Sequence, residues 1–177
     1  MDANAKKTAL RMIPYGLFVL TAASKDGRVA AATVNWVTQV AFEPPLVVVG
    51  VKVDSHAHPL IKETQAFALN VLGKGQGPLA FTFFKPAEVK GDTISGEKFR
   101  PGTTGAPILA STPAFIECTL EATVEKGDHS VFVGRVVEVS NLGVTLGERC
   151  LFREFNFTFE NGKRVGVAGR NGLNVKQ

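Results

Sequence analysis

The chain has 177 residues, 45% of them apolar, with 20 Lys+Arg against 16 Asp+Glu for a formal charge of +4. That length and apolar content predict one compact domain over 1–177 and exclude intrinsic disorder. No stretch approaches the ~20 consecutive apolar residues of a spanning helix, and no N-terminal apolar block reads as a signal peptide. The expectation is a cytoplasmic protein with no membrane partner.

Residues 5–13 carry helix formers with Leu10 and Ile13 at helical spacing, and Pro14-Tyr15-Gly16 stops them. The period then changes. Residues 17–24 are strand material, Lys25-Asp26-Gly27-Arg28 is a hairpin turn, and 29–42 form strand broken near Asn35-Trp36. Glu43-Pro44-Pro45 ends that run, because proline cannot donate to a ladder. The apolar run 46–53 predicts a strand buried on both faces, and 55–58 lead into a short helix with Pro59 at its first position.

Residues 67–72 read as another strand, and the Gly-rich loop 73–78 opens a second helix running to about Phe84. The 86–107 excursion is too long for an idle connector and predicts a cover over a site or a subunit contact. From 116 to 124 apolar Ile116, Cys118, Leu120, Ala122 and Val124 alternate with Glu117, Thr119, Glu121 and Thr123. That spacing predicts a strand with one face in the core and one in water. Gly127-Asp128-His129 turns it into a partner strand over 130–139, and 149–159 and 163–167 supply further strands. Six to eight hairpin-joined strands with two or three short helices predict a mainly β fold, a small antiparallel barrel rather than a doubly wound parallel sheet.

The basic residues are scattered, with Lys6-Lys7 and Lys163-Arg164 the only adjacent pairs and one Trp and one Tyr to interleave with them, which argues against a nucleic-acid partner. Glu117, Glu121 and Glu125 lie on the strand's polar face, so a solvated face is expected rather than an acid/base pair. His56 and His58 form a His-x-His pair, but the one remaining histidine is remote and no Cys-x-x-Cys accompanies it, so no metal site is predicted. Cys118 and Cys150 are too few for a disulfide framework and suit a reducing compartment; Cys118 reads as a small hydrophobe. Gly73-x-Gly75-x-Gly77 fails as a dinucleotide loop, since Pro78 occupies the slot of the third glycine and no βαβ unit surrounds it.

Two stretches are more informative. Lys52-Val53-Asp54-Ser55-His56-Ala57-His58-Pro59 joins a strand end to a helix start amid side-chain and backbone donors. It reads equally as an anion site and as a helix capped by its own side chains. Thr33-Val34-Asn35-Trp36-Val37-Thr38-Gln39 sets polar groups inside an apolar, strand-rich region. Either a planar, heteroatom-edged ligand or an internally satisfied β-bulge answers their need for partners.

Read in order with Tyr15-Gly16, Phe42-Glu43-Pro44-Pro45-Leu46, Phe67-Ala68-Leu69-Asn70-Val71-Leu72, Gly105-Ala106-Pro107-Ile108-Leu109, Glu117-Cys118 and Gly127-Asp128-His129, these stretches resemble the flavin reductase family with the FMN-binding split-barrel fold, flavoredoxin-type members above all. The resemblance covers most of the chain. It implies a Greek-key antiparallel split barrel and a homodimer holding FMN non-covalently near the subunit interface. It places Thr33, Asn35, Trp36, Val37 and Thr38 along the isoalloxazine edge. Lys52, Ser55 and His58 fall at the phosphate, with Phe83, Phe84 and Lys85 nearby. Ala57 stands where relatives often have Thr, and Lys52 or His56 is expected to compensate. His129 falls on the side where nicotinamide docks. The implied activity is hydride transfer from NADH or NADPH to flavin N5, with electron delivery to a redox protein or monooxygenase. A flavoredoxin-type electron carrier is the alternative, and a flavin-storage binder without turnover the third.

Overall fold

The computed structural model describes residues 1–140, 144–146, 149–152 and 156–157. The strand expected over 163–167 lies outside them. Helix α1 (Ala3–Arg11) begins where the Asp2 carboxylate accepts the Ala5 N–H at 2.6 Å, and none of its residues is buried. Strands β1 (Phe18–Ala23) and β2 (Val29–Val34) form the first hairpin, with Gly27 at φ +90° in the turn. Strands β3 (Val37–Ala41) and β4 (Leu46–Lys52) form the second. Helix α2 (Ala57–Thr64) leads to β5 (Ala66–Val71), and the short α3 (Gly77–Thr82) follows it.

The 86–107 excursion carries strands of its own. Strands β6 (Val89–Lys90), β7 (Thr93–Ile94), β8 (Glu97–Pro101) and β9 (Pro107–Leu109) make a small sheet in sequence order. Long β10 (Ala114–Lys126) and β11 (His129–Ser140) form the third barrel hairpin. Strands β12 (Val144–Leu146) and β13 (Arg149–Phe152) pair with each other, and β14 (Asn156–Phe157) pairs with β11.

The main sheet runs β2-β1-β5-β10-β11-β4-β3, with every pairing antiparallel. Strands β4 and β5 follow each other along the chain through α2, yet the β10–β11 hairpin sits between them, a Greek-key connection. The sheet's two ends, β2 and β3, are joined by Asn35-Trp36 and not by a ladder, which leaves the barrel split there. Inside lie Leu20, Val49, Val51, Ile61, Phe67, Leu69, Cys118 and Phe132. Each large apolar side chain buried in this way contributes about 1.5–3 kcal/mol. Gly134 is part of the packing: a Cβ there would stand 2.5 Å from Phe67 Cζ and 2.8 Å from Cys118 Cβ. A second cluster, Val19, Ala31, Phe83, Ile94 and Leu109, seats the small sheet on the barrel.

Three expectations need correction. Strand β4 buries Val47, Val49 and Val51 but not Val48 or Gly50, so it has one core face rather than two. Helix α2 starts at Ala57, two residues before Pro59. Ile116, Cys118 and Leu120 of β10 do face the core, but the opposite face is not all in water, and the ladder shifts register at Glu117/Cys118 and Leu120/Ala122. The first shift leaves the extra residue, Val137, in β11, and the second leaves Glu121 in β10, so only the second alters the alternation of β10. Glu117 is fully buried because the 102–104 loop covers its face of the strand, whereas Val124, beyond the second bulge, is exposed. The Glu117 carboxylate accepts hydrogen bonds from Thr103 N (3.0 Å), Thr104 N (2.7 Å) and Thr104 Oγ1 (2.6 Å). Gly102 makes room for it, because a Cβ there would collide with the carboxylate. Buried Asn70 makes a matching tie, accepting from Leu109 N (2.8 Å) and donating to Val19 O (3.0 Å). These two polar side chains fasten the 97–109 segment to the barrel.

Candidate functional site

The split between β2 and β3 gathers the residues singled out in the sequence. Trp36 lies over Gly50 of β4, where a Cβ would stand 3.1 Å from its Cε3, and the Trp36 carbonyl accepts from Gly50 N at 2.9 Å. A lone glycine in the Val-rich Leu46–Lys52 strand was a readable sign of such close approach. His129 is paired in register with Lys52 and stands against Trp36, with ring centroids 4.5 Å apart and planes at 53°. Trp36 remains 49% exposed despite its size. An aromatic ledge of two rings on a glycine floor results.

Charges frame the ledge. His129 Nδ1 meets Asp128 Oδ1 at 3.0 Å, and Lys52 Nζ meets Asp54 Oδ2 at 2.8 Å. The His129 contact holds the Asp128 carboxyl below the usual aspartate range; the Lys52 hydrogen bond does the same for Asp54, and Asp54 in turn raises Lys52. Neither carboxylate was named as a site residue from the sequence, although Asp54 lies in the donor-rich stretch and Asp128 in the Gly127-Asp128-His129 turn.

Several expected residues are already engaged within the protein. Thr33 Oγ1 donates to Ala80 O at 2.6 Å and Thr33 N to Phe83 O at 3.1 Å, so Thr33 holds α3 against the free edge of β2. Val37 packs on the core, and Phe83 is buried in the second cluster, so neither side chain lines an open surface. Ser55 Oγ donates to Lys52 O at 2.8 Å and accepts His58 N at 3.3 Å; the self-capping option is realised there. His58 is buried, with Nε2 2.8 Å from Ser130 Oγ, rather than open to an anion. Burial, and the nearby Glu117 charge after it, push the Cys118 thiol up.

Other residues keep open surface, although Lys52 pairs with Asp54 and Thr38 Oγ1 donates to Gln39 O at 3.3 Å. Trp36, Thr38, Lys52, His56, Phe84 and Lys85 are exposed, and Asn35 is half-buried. Among the described residues the Asn35 amide has no side-chain hydrogen bond. His56 lines a cleft of about 370 Å³ with Val29, Ala30, Pro59, Pro86 and Ala87, which brings the start of α2 next to the residues that follow Lys85. A larger cavity of about 440 Å³, lined by Ser24, Asp26, Glu63 and Thr104 among others, contains none of the candidate residues. Among the described residues no group of three His, Cys, Asp or Glu gathers as a metal site would require, and His56 and His58 diverge. No described helix is long and apolar enough to cross a membrane.

The chain is 32% identical over 139 residues to the NADH-dependent flavin reductase StyB of Pseudomonas fluorescens, covering 77% of each. It is 30% identical over 143 residues to the stachydrine N-demethylase reductase subunit Stc3 of Rhizobium meliloti, covering 81% of this chain and 61% of that one. Another matched protein of that organism is spanned over 45% of its length, so the chain accounts for roughly half to three fifths of these two relatives. The styrene monooxygenase flavin reductase SMOB of Pseudomonas putida superimposes with a TM-score of 0.66 at 30% identity, over 76% of this chain and 85% of that one. Residues 10–152, which include the split, the ledge and α2, match one family description, and the chain belongs to the flavin reductase like domain family.

Proposed function

We propose that the protein is an NAD(P)H-dependent flavin reductase that holds FMN without a covalent bond at the split of the barrel and delivers electrons to a separate acceptor such as a monooxygenase. The observation that carries this reading is the ledge: a half-exposed indole laid on Gly50 with an imidazole at 4.5 Å. It is bordered by a half-buried amide, Asn35, with a hydroxyl, Thr38, nearby. Exposed aromatic surface beside an amide that has no side-chain partner among the described residues fits a ring system with a polar edge. The relatives named for reductase activity toward flavin, and the one named as the reductase subunit of a demethylase, support the same reading.

Flavin, when bound, would supply the hydride-accepting chemistry. Asn35 and Thr38 donate to the ring's polar edge and stabilise negative charge that develops there. Trp36 and His129 would pack against the ring and exclude water from one side, and His129 would orient the incoming nicotinamide. Lys52 and Lys85 supply positive charge for the phosphate, and His56 a donor beside the first turn of α2. Phe84 shelters the same end. No side chain acts as a nucleophile. A homodimer belongs to this reading: exposed Trp36, Val40, Phe42, Phe81 and Phe84 are apolar surface that a second copy would cover.

The test is the visible spectrum of the purified protein, chromatography of the released chromophore, and anaerobic stopped-flow mixing with NADH and with NADPH. A yellow protein that releases FMN and is bleached by at least one nucleotide is expected. A colourless protein giving no heat with FMN or FAD refutes flavin binding. Bound flavin that neither nucleotide bleaches refutes the reductase and leaves a carrier. Light scattering on the eluting peak checks the dimer.

A further inference from the structure

The geometry points to His58 as a positioning residue that, through Ser130, holds His129 against Trp36, and not as a ligand of the flavin phosphate. Its ring is enclosed: the side chain is 10% exposed, and it stands edge-on to Phe132 at 5.2 Å. Nε2 shares a 2.8 Å hydrogen bond with Ser130 Oγ, and Ser130 is fully buried. The same nitrogen lies 3.8 Å from Glu125 Oε1, which Lys62 Nζ holds at 2.8 Å. An anion approaching that edge would have to displace a buried hydroxyl and face a carboxylate.

The pleat decides which neighbour the contact controls. Successive residues of a strand point to opposite faces. Ser130 and His129 are neighbours on β11, so a hydrogen bond that fixes Ser130 inward fixes His129 outward, on the side of Trp36. The α2 end of the link is equally tied down. His58 N donates to Ser55 Oγ, and Ser55 Oγ donates to Lys52 O, the residue opposite His129 in the ladder. A closed circuit therefore joins the first turn of α2, the end of β4 and the start of β11. Val53 N donating to Asp128 O at 3.1 Å reinforces it.

The assignment rests on the proposed reductase reading for its kinetic consequence but not for its structural one, and the two are tested separately. Trp36 is the chain's single tryptophan, so its emission in flavin-free protein reports whether His129 is in place. His58→Leu and Ser130→Ala should each move that emission toward the His129→Ala spectrum, the double variant no further than either single one, and His58→Gln, whose amide nitrogen can take the place of Nε2, should restore it. With flavin and NADH, His58→Leu and Ser130→Ala should slow bleaching about tenfold while flavin affinity stays within about threefold. If His58→Leu does not fold, Ser130→Ala carries both readouts. Trp36 emission unchanged in Ser130→Ala overturns the assignment. So does a His58 variant that loses FMN about tenfold while binding riboflavin, which lacks the phosphate, as the parent does. Absence of flavin binding in every variant sinks the reductase reading and leaves the emission test standing.

Discussion

Replacing Glu117 is the most direct way to ask whether the buried carboxylate fastens the 97–109 segment. It accepts from Thr103 N, Thr104 N and Thr104 Oγ1 at 3.0, 2.7 and 2.6 Å. Hydrogen bonds to a charged group contribute about 1.5–3 kcal/mol each in net terms. Thr103 is exposed and Thr104 half-buried, so water recovers part of the loss when the acceptor is gone. The lower end of the range then applies to each, and Glu117→Ala should lower unfolding stability by about 3–5 kcal/mol. Glu117→Gln keeps an oxygen for Thr104 but turns an amide N–H₂ toward the Thr103 N–H, so one bond is lost and two donors face each other. Its cost should be about 1–3 kcal/mol. Urea unfolding measures both values, and amide exchange at Thr103 and Thr104 should accelerate in both variants. A Glu117→Ala protein within about 1 kcal/mol of the parent, with those two amides exchanging as before, refutes the reasoning.

Gly50→Ala should leave stability within about 1 kcal/mol, because Trp36 is half-exposed and can swing away from a Cβ at 3.1 Å. Flavin affinity should nonetheless fall, which a fluorescence titration reads; unchanged affinity would remove the ledge from the site. His129→Ala should slow flavin reduction about tenfold without releasing the flavin, as followed by stopped-flow bleaching, and a colourless variant contradicts the placement of His129 on the nicotinamide side. The Asp128 carboxyl titrates below the ordinary aspartate value because of its hydrogen bond with His129. Its folded-state pKa being depressed, the contact contributes fully above the unfolded value and is lost as pH falls through the folded one. The ¹³C shift of that carboxyl should therefore have a higher midpoint in His129→Ala than in the parent, and equal midpoints would mean that the contact does not form in solution.

Much of this architecture was legible because it is written in local chemistry. The Gly127 turn, the apolar pairing of β10 with β11, and the break at Asn35-Trp36 depend on a few adjacent residues. Of the residues expected in the candidate site, Trp36 and His129 are a pair that the structure brings together. Glu117 was not legible. Its alternation with Cys118 looks like any half-solvated strand, and the loop that folds over its outer face leaves no mark on the hydrophobic pattern. Its partners lie 13 and 14 positions earlier, in a Gly-Thr-Thr-Gly loop rich in donors, the one trace such a clamp leaves in the chain. The loss of Thr33, Val37, Ser55, His58 and Phe83 from the open surface has a related origin. A residue's type shows what it can bond to, whereas only the fold shows whether another part of the chain has taken that capacity first.

Strand β11 joins these two levels. Along its inward face Ser130, Phe132 and Gly134 are buried, and they meet His58, the core and the Phe67 ring respectively. Along its outward face His129 reaches Trp36, and Val131 and Arg135 are exposed. Because side chains alternate with a period of two, a slip of one residue against β4 would send all three inner residues outward and draw His129 under the sheet. Such a slip would force a Cβ into the space that Gly134 leaves beside Phe67 and Cys118, and would separate Ser130 from His58. The packing that holds the barrel together therefore also selects the register that presents the imidazole. The position of His129 is set by core contacts that never touch a ligand.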